Sequence, residues 1–172
     1  SVEMRDRHGV LMRVFPVEDG RVRLAVALDQ VDPGFIAMLL AYEDKRFYRH
    51  SGVDPLAILR AAGQAIWQGE IVSGGSTLTM QVARLLENSG TGRWHGKLRQ
   101  IRLALALERQ LDKDQILSLY LLHAPYGGAV EGVRAGSLAW FGKEPARLTT
   151  AEAALLVALP QAPEARRPDR HP

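Results

Sequence analysis

The 172-residue chain has no cysteine, which excludes disulfides, thiol catalysis and Cys-ligated zinc and identifies no compartment. Lysine is scarce: four of the 22 basic residues are Lys (45, 97, 113 and 143), leaving 18 Arg. Arginine suits planar, bidentate contacts to carboxylate or phosphate, and a GC-rich genome also supplies it by default, so composition leaves both readings open. Neither charge sign dominates. With 22 cations against 19 carboxylates the net charge is only +3, and the pI of about 9.5 exaggerates that excess. No concentrated basic stripe with interleaved aromatics is present, so no nucleic-acid partner is expected. No window reaches the roughly 18 apolar residues that a membrane span needs. The most apolar stretch, 115–130, is interrupted by His123, Pro125 and Gly127-Gly128. There is no His-Glu-x-x-His to suggest a catalytic zinc site and no Gly-x-Ser-x-Gly to suggest a serine hydrolase. The lack of a signal peptide and of an initiator Met, with the Pro-rich, basic ending, gives the expectation of a segment of a longer protein. What is present is a core's worth of apolar residues, 47% against 24% charged, as a folded domain requires.

Residues 1–30 read as a β-hairpin lead-in, with Val10–Val17 and Arg21–Val26 flanking the turn Glu18-Asp19-Gly20. From Asp32 the pattern is helical. Asp32-Pro33 and Asp54-Pro55 are start signals ahead of apolar residues at helical spacing. Ser76 or Thr77 opens a third helix, ending at Asn88-Ser89-Gly90, and a fourth runs from Gly96 to Leu111. Asp112-x-x-Gln115 and Thr149-x-x-Glu152 are capping boxes, and Ala129–Trp140 reads as a helix of small residues between them. The expected organisation is a lead-in over 1–30, a helical domain over 31–160 and a linker over 161–172. The fold class is mainly α with a short N-terminal β-hairpin.

Three groups of residues carry candidate chemistry. The run from Glu43 to His50 places a carboxylate at the end of an apolar helix among aromatics and cations, which suits a general acid or base. The competing reading is a solvated helix end. Gly74-Gly75-Ser76-Thr77 feeds a helix N-terminus and suits an anion, phosphate above all; an ordinary turn and cap would look the same. The cations Arg84, Arg93 and Lys97 lie nearby and can neutralise a phosphate, whereas Arg99, Arg102 and Arg109 read as a solvated face. Together they point to acid/base chemistry on a phosphate-bearing substrate.

In order along the chain, these segments resemble the motifs of glycosyltransferase family 51, the peptidoglycan polymerase domain of class A penicillin-binding proteins. Glu43-Asp44-x-x-Phe47-x-x-His50-x-Gly52-Val53-Asp54 is similar to the first motif and Gly74-Gly75-Ser76-Thr77-x-Thr79-x-Gln81 to the second. Lys113-x-x-Ile116-Leu117-x-x-Tyr120-Leu121 is similar to the fourth, and Thr149 to Pro163 to the closing segment. Gly96-Lys97-x-x-Gln100, in place of the usual Arg-Lys-x-x-Glu, and the ending Pro168 to Pro172 resemble the penicillin-binding protein 1C branch.

The resemblance implies a lysozyme-like, head-and-jaw helical domain that polymerises lipid II into glycan strands and releases undecaprenyl diphosphate. It makes Glu43 the base on the acceptor 4-hydroxyl, with Gln100 a second catalytic residue hydrogen-bonding the donor. Asp44, Phe47, His50, Gly75, Ser76, Thr77, Gln81, Arg84, Arg93 and Lys97 become substrate-binding residues. A divalent ion, Mg²⁺ or Mn²⁺, is implied with the diphosphate, although an amide at Gln100 is a weaker ligand than a carboxylate. Also implied are a membrane surface as partner, a downstream transpeptidase domain, and anchoring to the periplasmic face of the inner membrane by an upstream helix. Two alternatives compete: a lysozyme-like, glycan-cleaving lytic transglycosylase, and a catalytically weakened lipid II- or membrane-binding module that docks through Arg and apolar residues such as Ile66, Trp67 and Ile71.

Overall fold

The computed structural model describes residues 1–68, 75–87 and 94–170. It contains two compact units, one formed by Ser1–Leu39 with Leu121–Pro172 and the other by Leu40–Tyr120. Among the described residues are seven α-helices: α1 (Pro33–Glu43), α2 (Pro55–Gln68), α3 (Leu78–Glu87), α4 (Trp94–Gln110), α5 (Lys113–His123), α6 (Val133–Phe141) and α7 (Thr150–Ala158). The four strands are short: β1 (Val2–Arg5), β2 (Leu11–Phe15), β3 (Val22–Arg23) and β4 (Val130–Glu131). The chain is therefore mainly α with a short N-terminal hairpin. None of the described helices is long and apolar enough to cross a membrane.

Local start signals set most helix ends. Asp32 Oδ1 accepts from the Gly34 and Phe35 amides at 2.8 and 3.2 Å, and Asp54 Oδ1 does the same for Leu56 and Ala57 at 3.0 and 3.2 Å. In each case Pro at the first helical position loses no bond, because that amide has no helical acceptor. Asp112 and Gln115 exchange side-chain and amide bonds of 2.8 and 2.9 Å ahead of α5. Thr149 and Glu152 form the corresponding capping box ahead of α7.

The hairpin pairs differently from its sequence reading. The turn before Gly20 exists, with φ of +79° at the glycine and a 2.9 Å bond from Val17 N–H to Arg21 O. However, β2 pairs antiparallel with β1, Val2 opposite Phe15, and β3 pairs in parallel with β4, Val22 opposite Val130. The reading of 129–140 as one helix also needs correction, since α6 begins only at Val133. Gly132 separates strand from helix at φ +85°, and a Cβ there would stand 2.7 Å from Leu122 O. Residues 161–170, linker-like by composition, pack back on the first unit. Arg167 lies over the Trp140 ring at 6.0 Å, and Glu164 accepts from the Gly128 amide at 2.6 Å.

In the first unit Phe35, Leu39, Leu121, Tyr126, Val133, Leu156 and Leu159 are wholly buried. Buried Glu131 is met by Arg21 and Arg23. Arg134 grips Glu144 in a fork of 2.7 and 2.9 Å and also bonds Glu3, fastening β1 to α6. The second unit is built on Phe47, Leu78, Met80, Val82, Ile116, Leu117 and Tyr120, with α3 packed on α4.

Candidate active site

The second unit holds every described residue that the sequence nominates. Glu43, the last residue of α1, is half-buried. The Gln81 amide of α3 donates to its Oε2 at 2.7 Å. A neutral donor orients a carboxylate without cancelling its charge. One turn further along α3 is Arg84, half-buried. Lys97 of α4 bonds Ser76 Oγ, and its ammonium pKa is lowered, first by burial and then by the nearby Arg84 charge. Two cations close enough to repel, on packed helices, make a surface that gains from an anion.

Gln100 lies one turn beyond Lys97, with only 7% of its surface exposed. That burial limits its contact with a donor and makes it part of the α4 packing face, with the wholly buried Ala104.

After Glu43, Asp44, Phe47 and His50 form a buried framework rather than a contact surface. Asp44 is 8% exposed. Its carboxylate accepts from the Leu78 amide at 2.9 Å and from His50 Nε2 at 2.9 and 3.0 Å. His50 Nδ1 is buried without a hydrogen-bond partner among the described residues. Phe47 is 1% exposed and Thr77 2%. Thr77 Oγ1 donates to Gly52 O at 2.5 Å and accepts from the Met80 amide at 3.2 Å. Asp44, Phe47, His50 and Thr77, nominated for substrate binding, thus spend their contacts inside the protein.

The anion cradle expected at the start of α3 changes for the same reason. The Leu78 amide goes to Asp44 and the Met80 amide to Thr77, so these helix donors are already used. Asp44 also places a negative charge where an anion would answer the helix dipole. The groups left for a phosphate are side chains: Lys97, Arg84 and Ser76. Gly75 lies in ordinary contact with Ile58, at 3.7 Å from a built Cβ. Gly74, Arg93 and Ile71 lie outside the described residues, as do the side chains of Ile66 and Trp67.

Sequence reasoning gave no role to Glu108, a largely buried carboxylate of α4. It accepts from Thr79 Oγ1 at 2.7 Å and Lys113 Nζ at 2.6 Å. Thr79 and Lys113 appear in the quoted motifs, but no local spacing links either to Glu108. A cavity of about 620 Å³ lies in the first unit, lined by Glu3, Arg5, Asp29, Gln30, Arg134 and Glu144. It contains none of the nominated residues, and its Arg134 is already shared between Glu3 and Glu144.

Comparison with known proteins gives the family. The family model described as transglycosylase matches residues 8–172. The chain is 49% identical over 158 residues, 92% of its own length, to penicillin-binding protein 1C of Escherichia coli strain K12. It is 41% identical over 141 residues (82% of the chain) to penicillin-binding protein 1A of the same organism, and 40% identical over 150 residues (87%) to penicillin-binding protein 1A of Aquifex aeolicus. These stretches make up 20%, 17% and 21% of the respective relatives, so the chain spans about a fifth of their length. By the match along nearly its whole length, the chain belongs to the transglycosylase family.

Proposed function

We propose that the chain is a peptidoglycan glycosyltransferase that polymerises lipid II. The observation that carries the reading is one α3 face: Gln81 holds the Glu43 carboxylate, and Arg84, one turn away, stands close enough to Lys97 to lower its pKa. A base beside paired cations fits a reaction that removes a proton from one partner and releases a diphosphate from the other. Glu43 takes the proton of the acceptor 4-hydroxyl, whose oxygen attacks the donor anomeric carbon. The bond from that carbon to the diphosphate breaks with inversion, and undecaprenyl diphosphate leaves with its charge met by Lys97 and Arg84. A neutral glycosidic bond, as a lytic enzyme would cleave, gives these cations no task.

A divalent ion does not fit the donor set. No group of three or more His, Asp or Glu side chains that could hold a metal occurs among the described residues. The groups at Lys97, Arg84, Ser76 and Gln81 are cations, a hydroxyl and an amide, which are poor or repulsive ligands for Mg²⁺ or Mn²⁺, and the α4 carboxylate Glu108 is already held by Thr79 and Lys113. Side-chain cations therefore take the charge-compensating role.

The substrate's lipid tail calls for a membrane surface. Leu56 and Leu59, one turn apart on α2, are 58% and 67% exposed, with Ile58 at 39%, and such an apolar stripe suits lipid. The likeness to penicillin-binding proteins supports anchoring at the periplasmic face of the inner membrane and linkage to a transpeptidase domain. Incubation with lipid II and, separately, with intact sacculi tests the reaction class. Glycan polymer from the first and no soluble muropeptides from the second is the expected outcome; muropeptides without polymer would mean a lytic enzyme.

A further inference from the structure

Glu108 is a carboxylate for which this chemistry has no use, yet only 9% of its side chain is exposed. A charge held that deep needs partners, and two donors converge on its Oε1. Thr79 of α3 donates at 2.7 Å and Lys113, the first residue of α5, at 2.6 Å. The same Lys113 ammonium lies over the Phe47 ring, 4.5 Å from its centroid. Phe47 in turn meets Tyr48 and His50 edge-on, at 5.1 and 6.4 Å between centroids. Three stretches of chain therefore meet at one carboxylate oxygen, and a fourth, at Phe47, joins them through Lys113.

This cluster reaches Glu43 from two sides. Thr79 precedes by two residues Gln81, whose amide holds the Glu43 carboxylate. Phe47 follows Glu43 by four residues, in the loop that leaves α1. The loop then touches α4 beside the cluster at Gly52, where a Cβ would stand 2.9 Å from Ala104 O and 3.1 Å from Glu108 Cγ. The cation Lys97 is held separately, by Ser76.

We infer that Glu108, neutralised by Lys113, is a positioning residue that sets Glu43 against Gln81, tying α3 directly at Thr79 and the loop at Phe47 through the Lys113 ammonium. The inference rests on Glu43 being the base. Misplacing a reacting group by 1 Å can cost roughly a hundredfold in rate. Substrate affinity, which runs through other residues, is left alone.

The test uses Thr79→Val, which removes one hydroxyl at constant shape, and the double variant Glu108→Gln/Lys113→Met, which removes both charges so that neither stays buried unpaired. Steady-state lipid II polymerisation is measured beside circular dichroism and thermal midpoints. In each folded variant kcat should fall about tenfold, with KM within about twofold of wild type. Adding either change to Glu43→Gln should lower the rate no further, because both act through the same carboxylate. Wild-type kcat, a raised KM at unchanged kcat, or losses that add to that of Glu43→Gln would overturn the assignment. If the double variant does not fold, Thr79→Val decides alone. A Glu43→Gln protein as active as wild type would instead sink the base assignment, independently of Glu108.

Discussion

At Lys97, burial and the Arg84 charge both work against the ammonium, so its pKa lies below that of an ordinary lysine. In the unfolded chain this side chain keeps the ordinary value. Between the two pKa values the unfolded state binds the extra proton, and stability rises with pH across that window. A bound diphosphate reverses the balance, because an anion favours the charged form. The free enzyme keeps the lowered value, so kcat/KM should decline on the alkaline side as Lys97 loses its proton, at lower pH than a free lysine would dictate. Lys97→Arg keeps its charge throughout, so its alkaline limb of kcat/KM should move to higher pH whatever its maximal rate. Identical limbs in both proteins would remove Lys97 from the charge-compensating role. At this scale the motifs contain Asp44, Phe47, His50 and Thr77, whose contacts lie inside the protein. Asp44 and His50 are polar and stand beside the base in sequence, which reads as a binding surface. The Leu78 amide that binds Asp44 lies 34 residues from it, and no local pattern reports so distant a bond.

The helices show where local chemistry is enough. Asp32, Asp54, Asp112-Gln115 and Thr149-Glu152 each satisfy amides within the next few residues, so their roles can be read directly from the sequence. The α7 box gives a measurable case. Thr149→Ala should cost about 1 kcal/mol of stability, read as a lowered denaturation midpoint at neutral pH. Its partner Glu152 has a pKa lowered to about 2, chiefly by Lys143 and then by the Thr149 amide. A depressed carboxylate contributes stability that is fully present above its ordinary pKa and is lost as pH falls through the folded value. The difference between Glu152→Gln and wild type should therefore shrink as pH falls from about 4.5 toward 2. A difference that is constant with pH would show that the ionised Glu152 contributes nothing. Strand pairing is the opposite case. The turn before Gly20 is real, but β3 finds its partner at Val130–Glu131, and the buried Glu131 with Arg21 and Arg23 helps fix that register. A two-residue parallel pairing between segments so far apart leaves no periodicity for a sequence reading to detect.

Over the whole molecule, a net charge of +3 conceals a division of labour among the arginines. Arg21, Arg23 and Arg134 are bound to carboxylates within the first unit and hold its short strands in place. Arg84 and Lys97 in the second unit repel each other, and it is their charge that the proposed reaction uses. The scarcity of lysine sharpens this contrast, since two of the four, Lys97 and Lys113, stand at the site or in the cluster behind it. The central claim is that Glu43 takes the acceptor's proton, and the most direct measurement compares lipid II polymerisation by wild type and Glu43→Gln at matched protein and detergent. The account predicts glycan polymer from the wild type and a rate lower by roughly a thousandfold in the variant, the scale of losing a general base. Equal rates, or no polymer from the wild type, would contradict it.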